Sequence, residues 1–426
     1  MTAAPPGSSL TSLEVASGIV FGAGEDASGF DGARPESSAR DALEAAVLPA
    51  LQRPPCFVSF SGGLDSSAVL AVASIVARRE GLPLPVAATL RFPGNAEADE
   101  ASWQETVLSV VPVADWERIE IRHELGVVGP VATDALRKHG LLWPFNAYVH
   151  VPVFDRARGG SVLTGFGGDE LFASSRWDRL SEVAGGHSRP TARDLRRVAL
   201  ALAPHSIRAL ALRRRCPLRL PWLTAEGRTA LARAWALEAA SEPRRAAQRG
   251  RWRLRLRSLR TAKASLGTLA AARDVAVVHP LADAAVVAAV APLQAAGGGD
   301  RGERVRVLLG DLLPAGLYAR RTKASFNTAF WGEDERLRAA SWSGEGVDPS
   351  LVELDAVRAT WSADDPDGRS FTMLQSAWLS RARAAEVSRG SGAWSLEASS
   401  TTAGGEPGRQ ASTRAGEARG DRPAGA

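Results

Sequence analysis

An apolar run typical of a strand leads into a loop of glycine and serine, and then into an apolar run typical of a helix. The strand candidate is Phe57–Phe60, and the loop consists of Ser61, Gly62, Gly63, Leu64, Asp65, Ser66 and Ser67. Glycines lack a Cβ and let backbone N–H groups turn toward an anion, while serine hydroxyls add donors. The N-terminus of the following helix adds N–H groups and the positive end of its dipole. The pattern predicts a phosphate-binding loop; the simpler alternative is a turn between a strand and a helix.

Asp65 lies inside this loop, where its carboxylate would repel a phosphate unless a cation stood between them. Mg²⁺ prefers carboxylate and phosphate oxygens, so the loop predicts bound Mg²⁺. The loop lacks the Gly-Lys-Ser/Thr ending of a Walker A motif. It is similar instead to the SGGxDS loop of N-type ATP pyrophosphatases, which implies cleavage of ATP between its α and β phosphates.

A second glycine-rich loop follows another short apolar segment, Ser161–Leu163. It reads Thr164-Gly165-Phe166-Gly167-Gly168-Asp169-Glu170-Leu171-Phe172. Its glycines allow close approach of the backbone, and Asp169 supplies a second carboxylate that could share a Mg²⁺ with Asp65. The alternative role for Asp169 is an N-cap of the helix that follows.

Lysine is rare in this chain. Of the 52 lysines and arginines, only Lys138, Lys263 and Lys323 are lysines. Where arginine almost always carries the positive charge, a remaining lysine suggests a position that needs a compact ammonium group. A surface lysine is the simpler alternative at each position.

The elements that must position these residues alternate between strands and helices. Strands are predicted at Phe57–Phe60, Pro85–Arg91, Glu117–Ile121 and Ser161–Leu163, and the segments between them are predicted to contain helices. This alternation predicts an α/β fold with a parallel sheet flanked by helices, in which ligands bind at the carboxyl ends of the strands. A mostly α-helical portion is predicted from Arg189 to Val387.

The two ends of the chain differ from this pattern. Residues 1–37 are predicted to be poorly structured, with at most one short strand near Gly18–Phe21, and residues 389–426 to form a disordered tail. No segment has the apolar length of a membrane span, and the first residues lack the basic and apolar regions of a signal peptide. A cytoplasmic location is therefore expected.

Composition limits the kinds of site that the chain can carry. The two cysteines, Cys56 and Cys216, form no CxxC pair, which argues against a disulfide framework, a zinc site or an iron–sulfur cluster. The net charge is +5, and much of the positive excess lies between Arg193 and Arg260. Solvated helix faces are the favoured interpretation of this region, and an acidic partner or substrate is the alternative.

Five segments together resemble the synthetase domain of the asparagine synthetase family, which includes β-lactam synthetases and the macrolactam cyclases of lasso peptides. The segments are the SGGLDSS loop, Asp99-Glu100 before Trp103, the TGFGGDELF loop, His279-Pro280-Leu281-Ala282-Asp283, and Arg321-Thr322-Lys323-Ala324-Ser325-Phe326. The resemblance implies a PP-loop fold of the adenine nucleotide α-hydrolase type over residues 38–388.

The resemblance also implies roles for individual residues. Asp65 and Asp169 would ligate Mg²⁺, and Lys323 would neutralise charge on the α-phosphate and the departing pyrophosphate; these three are the implied catalytic residues. ATP and Mg²⁺ are the implied cofactors. The implied nucleotide-binding residues are Ser61, Gly62, Gly63, Leu64, Asp65, Ser66, Ser67, Gly165 and Gly167. A substrate carboxylate would attack the α-phosphorus to give an acyl-adenylate, from which an amine or ammonia would expel AMP.

Departures from the family pattern narrow the predicted activity. Residue 2 is Thr2, whereas full asparagine synthetases carry there the catalytic cysteine of a glutaminase domain. The nucleophile is therefore expected to be ammonia, free or supplied by a separate amidotransferase, or an amine on the substrate. Phe166 stands where β-lactam synthetases have Tyr and asparagine synthetases have Glu. Asparagine-type synthesis and peptide macrolactam formation both remain open.

Two further functions remain as alternatives. One is a tRNA-modifying PP-loop ATPase that uses the arginine-rich region on RNA; the missing CxxC pairs argue against it. The other is a degenerate nucleotide-binding subunit that scaffolds a partner. The expected partners are a small-molecule or peptide carboxylate and an amidotransferase or peptide-processing protein, whereas nucleic acid and membrane are not expected.

Overall fold

The computed structural model describes residues 9–24, 38–186, 188–295, 300–310 and 312–398. These residues contain five strands: β1 (Cys56–Ser59), β2 (Val86–Arg91), β3 (Asp115–Glu120), β4 (Ser161–Thr164) and β5 (Ala276–Val278). The strands form one parallel sheet in the order β3-β2-β1-β4-β5. Helices flank the sheet, so the predicted α/β fold is confirmed.

The helices before β5 in the described residues are α1 (Ser12–Ser17), α2 (Ala39–Leu51), α3 (Leu64–Arg79), α4 (Ala101–Leu108), α5 (Pro130–His139), α6 (Val151–Arg156), α7 (Gly168–Leu171), α8 (Asp178–Ala184), α9 (Ala192–Leu202), α10 (His205–Arg213), α11 (Ala225–Ser241), α12 (Ala246–Leu254) and α13 (Arg257–Ala271). Those after β5 are α14 (Ala284–Ala295), α15 (Arg301–Leu309), α16 (Ala315–Ala319), α17 (Glu333–Ala340), α18 (Leu354–Trp361) and α19 (Phe371–Ala398). Single 3₁₀ turns lie at Ala96–Ala98, Ala147–His150, Pro280–Ala282, Thr328–Phe330 and Gly368–Ser370.

The strand order determines where a ligand can bind. Strand β1 is central, with β2 and β3 on one side and β4 and β5 on the other. The order of the strands therefore reverses between β1 and β4, and in open parallel sheets the crevice at such a reversal, outside the carboxyl ends of the strands, is the ligand site. Ser59 and Thr164, the last residues of β1 and β4, are paired in register. The two glycine-rich loops thus begin side by side.

The main core anchors the helix that follows the first loop. Val69 and Val72 of α3 are fully buried together with Val58 of β1 and Leu163 of β4. Each large apolar side chain buried in this way contributes about 1.5–3 kcal/mol. Helix α3 is consequently held firmly against the sheet, and its N-terminus lies at the carboxyl end of β1.

Strand β5 corrects the prediction of an almost entirely helical portion after Arg189. Ala276–Val278 pairs with Ser161–Leu163 of β4 and forms one edge of the sheet. Three residues are too few to show a strand periodicity, so pairing with β4 decides their conformation.

The prediction of a poorly structured segment over 1–37 is wrong for residues 9–24. Thr11 and Glu14 form a capping box for α1, and Glu14 pairs with Arg257. The Ala16 carbonyl accepts a 2.7 Å hydrogen bond from the indole N–H of Trp222, a fully buried side chain. Distant contacts therefore stabilise a helix where at most a short strand near Gly18–Phe21 was expected. Residues 1–8 and 25–37 lie outside the described residues.

The C-terminal part of the described chain is helical. A first compact unit ends at Ser380, and a second begins at Arg381. The described residues of the second unit, 381–398, are helical, although a disordered tail was predicted from residue 389. The remainder of the predicted tail, 399–426, lies outside the described residues. Across the part of the chain that is described, no helix combines the length and the apolar character needed to cross a bilayer.

Several arginines between Arg193 and Arg260 are structural rather than solvated. Arg249 is 1% exposed and its guanidinium lies 3.2 Å from the Asp178 carboxylate. Arg253 is buried and donates to the carbonyls of Leu171, at 3.3 Å, and Ala173, at 2.9 Å. The interpretation of this region as solvated helix faces is therefore wrong for these side chains.

Candidate active site

The first loop is held in shape by its own hydrogen bonds. The Ser66 hydroxyl lies 3.1 Å from the Ser61 hydroxyl and donates to the Gly63 carbonyl at 3.1 Å, while Ser61 accepts the Gly63 N–H at 3.2 Å. Gly62 has a φ of +83°, a backbone conformation that L side chains rarely adopt. The N-terminal turn of α3, at Leu64, has no side-chain cap, so its N–H groups remain available to an anion.

The second loop packs directly against the first. A Cβ on Gly165 would lie 2.7 Å from the Ser66 nitrogen, so only glycine permits this approach. Gly167, with a φ of +92°, lies against Ala282. Ser67 is fully buried beneath the first loop, and its hydroxyl has no partner among the described residues. The glycines thus bring the two predicted halves of the site into contact.

Asp65 and Asp169 share one cation, the guanidinium of Arg301. The Nη2 atom of Arg301 bonds to Asp65 Oδ2 and lies 3.1 Å from Asp169 Oδ1. Arg301 is the first residue of α15 and was not predicted as a site residue. The two carboxylates therefore converge on one point, as expected for a shared cation site.

Burial controls the ionisation of Asp65. It raises the pKa of this carboxyl to about 6, against an ordinary value of 3.8, and the nearby Asp169 acts in the same direction. Arg301 and Lys323 oppose the shift. Asp65 Oδ1 is buried and has no hydrogen-bond partner among the described residues. A carboxylate in this position gains from an additional cation.

The chemistry of the carboxylates fits Mg²⁺. Asp65 offers a buried oxygen without a partner, and Asp169 lies within reach of the same cationic atom. Within the described ranges, no group of three or more His, Cys, Asp or Glu residues could hold a metal. Mg²⁺ commonly uses one or two carboxylates and takes its remaining ligands from phosphates and water. The pair therefore suits an ion that arrives with a nucleotide.

Lys323 lies at the edge of the same site. Its Nζ is 3.4 Å from Asp169 Oδ2, and its side chain is 82% exposed. The segment that carries it is attached at Arg321, which pairs with Asp300 at the N-cap of α15. The structure thus brings Lys323, Asp65 and Asp169 together at the carboxyl end of the sheet.

Glu100 connects the lysine segment to the first loop. It is buried, pairs with Arg320 and accepts the Ala324 N–H at 3.3 Å. Arg320 also donates to the Gly62 carbonyl at 3.3 Å and stacks over Trp103, with its guanidinium carbon 5.0 Å from the ring centroid. Glu100 is the N-cap residue of α4, and its carboxylate also fixes the residues on either side of Lys323.

Glu100→Gln is expected to destabilise the protein and to weaken catalysis. Removing one partner of a buried ion pair leaves the other charge uncompensated and costs about 3–5 kcal/mol. Thermal unfolding and steady-state kinetics of nucleotide turnover measure the two effects. Glu105→Gln is the matched control, because Glu105 lies exposed on the same helix. Equal behaviour of the two variants would exclude the connecting role of Glu100.

Phe166 and His279 pack against each other beside the second loop. Their ring centroids are 5.1 Å apart. His279 Nδ1 lies 2.7 Å from the Thr164 hydroxyl, and that hydroxyl accepts the Phe166 N–H at 3.2 Å. Burial lowers the pKa of His279 to about 3. The imidazole is therefore neutral, and it holds the second loop in place.

Two neighbouring cavities open at this edge of the sheet. The larger has a volume of about 530 Å³ and is lined by both loops, Arg301 and the Arg320–Ala324 segment. The smaller has a volume of about 220 Å³ and is lined largely by apolar side chains, among them Phe60, Leu90, Phe92 and Phe330. No described residue between 193 and 260 lines either cavity. The arginine-rich region is thus separate from the site.

Comparison with known proteins identifies a family. The family model described as asparagine synthase matches residues 38–387. No curated protein sequence matches the chain. The matched range contains the five strands, both loops, Arg301 and Lys323.

Proposed function

We propose that this chain, which belongs to the asparagine synthase family, activates a substrate carboxylate as an acyl-adenylate and transfers the acyl group to an amine or ammonia. Membership of the family supports an ATP-dependent, amide-forming ligase in general. The observation that carries the proposal is the convergence of Asp65 and Asp169 on one cation beside the first loop, with Lys323 3.4 Å from Asp169. With a cation held by the two carboxylates, and with Arg301 and Lys323 beside it, such a site can neutralise the negative charge of a triphosphate.

Shape and polarity support one orientation for ATP. Its phosphates would lie on the Ser61–Ser67 loop, at the N-terminus of α3, where backbone N–H groups and the helix dipole favour anions. Its adenine ring would enter the smaller cavity, where the aromatic side chains Phe60, Phe92 and Phe330 offer apolar surface. The α-phosphate would then face the larger cavity, which leaves space for the substrate carboxylate.

The first stage requires positive charge around the phosphates. Mg²⁺ bound with the nucleotide at Asp65 and Asp169 would polarise the phosphoryl oxygens. Arg301, released from the two carboxylates, and Lys323 would donate to the phosphates as pyrophosphate departs. Donors fixed before the reaction stabilise developing charge at little cost in reorganisation. Glu100 and Arg320 would keep the lysine segment in place.

The second stage requires little from the protein. The acyl-adenylate is already activated, so an amine that reaches the acyl carbon expels AMP without a protein nucleophile. The attacking amine must also lose a proton: Phe166 offers no acceptor, burial makes His279 a weak base, and the proton would pass to the phosphate of the departing AMP or to water. The choice between ammonia and an amine on the substrate therefore depends on what enters the larger cavity. Asparagine-type synthesis and peptide macrolactam formation are both compatible with its volume of about 530 Å³.

The RNA alternative has weaker support. Arg249 and Arg253, within the region that would contact RNA, are buried in intramolecular contacts. The scaffold alternative is disfavoured because charged side chains suited to catalysis lie in or beside the loops, namely Asp65, Asp169, Arg301 and Lys323.

A pyrophosphate-release assay tests the proposal. The protein is incubated with ATP, Mg²⁺ and a panel of amino acids and peptides that carry a free carboxyl group, with and without ammonia. We expect release of pyrophosphate that depends on one class of carboxylate, together with formation of an amide detected by mass spectrometry. Tight RNA binding at physiological salt without pyrophosphate release from any carboxylate would contradict the proposal.

A further inference from the structure

The two cavities share a boundary that a nucleotide would have to cross. Five residues line both cavities: Ser59, Ser61, Glu100, His150 and Phe326. In the proposed function, on which this inference rests, adenine lies in one cavity and the phosphates in the other. The ribose of ATP must then lie beside these shared residues, since it joins the base to the phosphates.

Most polar groups at this boundary are already hydrogen-bonded. Ser61 contacts Ser66 and Gly63 within the first loop, and Glu100 is held by Arg320 and the Ala324 N–H. The Ser59 hydroxyl lies 3.3 Å from His150 Nδ1. His150 Nε2 has no hydrogen-bond partner among the described residues.

The His150 ring is held in a fixed orientation. It ends the 3₁₀ turn Ala147–His150, and its ring stacks on Phe154 with a centroid distance of 6.0 Å and an interplanar angle of 22°. Burial lowers the pKa of His150 to about 4, so the ring is neutral near pH 7. A neutral imidazole has one donor and one acceptor nitrogen, and a hydroxyl can pair with either.

We propose that His150 Nε2 binds one of the two ribose hydroxyls of ATP, so that the site discriminates against the deoxy analogue that lacks this hydroxyl. The partner is a sugar hydroxyl rather than a phosphate, because a neutral ring carries no charge to attract an anion. The Ser59 hydroxyl acts through His150 by fixing the orientation of its ring.

Titration calorimetry with ATP, 2′-deoxy-ATP and 3′-deoxy-ATP in the presence of Mg²⁺ tests this assignment and needs no acceptor substrate. One neutral hydrogen bond corresponds to roughly a 3- to 10-fold change in Kd. The native protein should bind ATP more tightly than one deoxy analogue by this factor. His150→Phe should weaken ATP by the same factor and leave that analogue within about twofold. His123→Phe, at an exposed histidine, is the control.

Three results would overturn the assignment. The first is equal affinity of the native protein for all three nucleotides, and the second is unchanged affinity of His150→Phe for ATP. The third is an equal loss of affinity of His150→Phe for all three nucleotides, which would show that the ring only supports the fold. His150→Gln keeps a hydrogen-bonding side chain and should retain part of the discrimination, so it decides the case if His150→Phe does not fold. Absence of ATP binding by the native protein would instead overturn the proposed function, and this assignment with it.

Discussion

Lys323→Ala is expected to lower the rate of pyrophosphate release by about 100- to 1,000-fold, the usual effect of removing one donor that acts on developing charge. The Lys323 side chain is 82% exposed, and its Nζ lies 3.4 Å from Asp169 Oδ2. Exposed pairs contribute about 0–1 kcal/mol to stability. The midpoint of thermal unfolding should therefore stay close to that of the native protein while the rate falls.

Another lysine of the chain provides the control. Lys138 is also exposed, pairs with Asp134 at 2.8 Å and lines neither cavity of the site. Lys138→Ala should leave the rate of pyrophosphate release unchanged. Lys323→Arg should recover only part of the lost rate, because a planar guanidinium replaces a compact ammonium. A Lys323→Ala variant with a nearly native rate would remove this residue from the mechanism.

Asp65→Asn is expected to abolish pyrophosphate release and, without nucleotide, to stabilise the protein. Burial raises the pKa of Asp65 to about 6, so its ionised form is costly in the folded state. Because the folded pKa lies above the ordinary value of 3.8, the native protein loses stability as pH rises through this interval. At about pH 8 the neutral amide should raise the free energy of unfolding by on the order of 2 kcal/mol.

Thermal unfolding of both proteins as a function of pH measures this effect. The gain in stability of Asp65→Asn should be present above about pH 6. It should vanish below about pH 4, where the native Asp65 carboxyl is protonated in both the folded and the unfolded state. Asp169→Asn is the comparison, because that side chain is 62% exposed; it should also lose activity but gain little stability. A destabilised Asp65→Asn protein at about pH 8 would show that the pair with Arg301 outweighs the cost of burial.

The parts of the fold that could be predicted are those with local signals. Strands β1, β2, β3 and β4 are predicted within a few residues of their observed positions. Apolar residues dominate β1, β2 and β4, whereas charged and apolar residues alternate at the end of β3. Strand β5, with three residues, depends on pairing with β4. Helix α1 depends on contacts with Trp222 and Arg257, which are distant in sequence. Strand β5 leaves no local pattern, whereas the Thr11–Glu14 capping box is a local signal for the start of α1.

The same distinction applies to the site. Asp65, Asp169 and Lys323 lie in recognisable loops or stand out by residue type. Arg301 is one of many arginines, and its contact with both carboxylates arises only when α15 packs beside the sheet. His150 lies in a 3₁₀ turn without a motif and reaches the site through folding. The lysine segment shows no sequence signal for its attachment to Glu100.

Transfer of oxygen-18 from a labelled substrate carboxylate into AMP tests adenylation most directly. With the carboxylate found in the pyrophosphate assay, attack of its oxygen on the α-phosphorus leaves one labelled oxygen on AMP after the amine has reacted. Phosphorus NMR of the products should show that label on the AMP phosphorus and unlabelled pyrophosphate. Formation of ADP with the label in inorganic phosphate would contradict adenylation and would indicate an acyl phosphate instead.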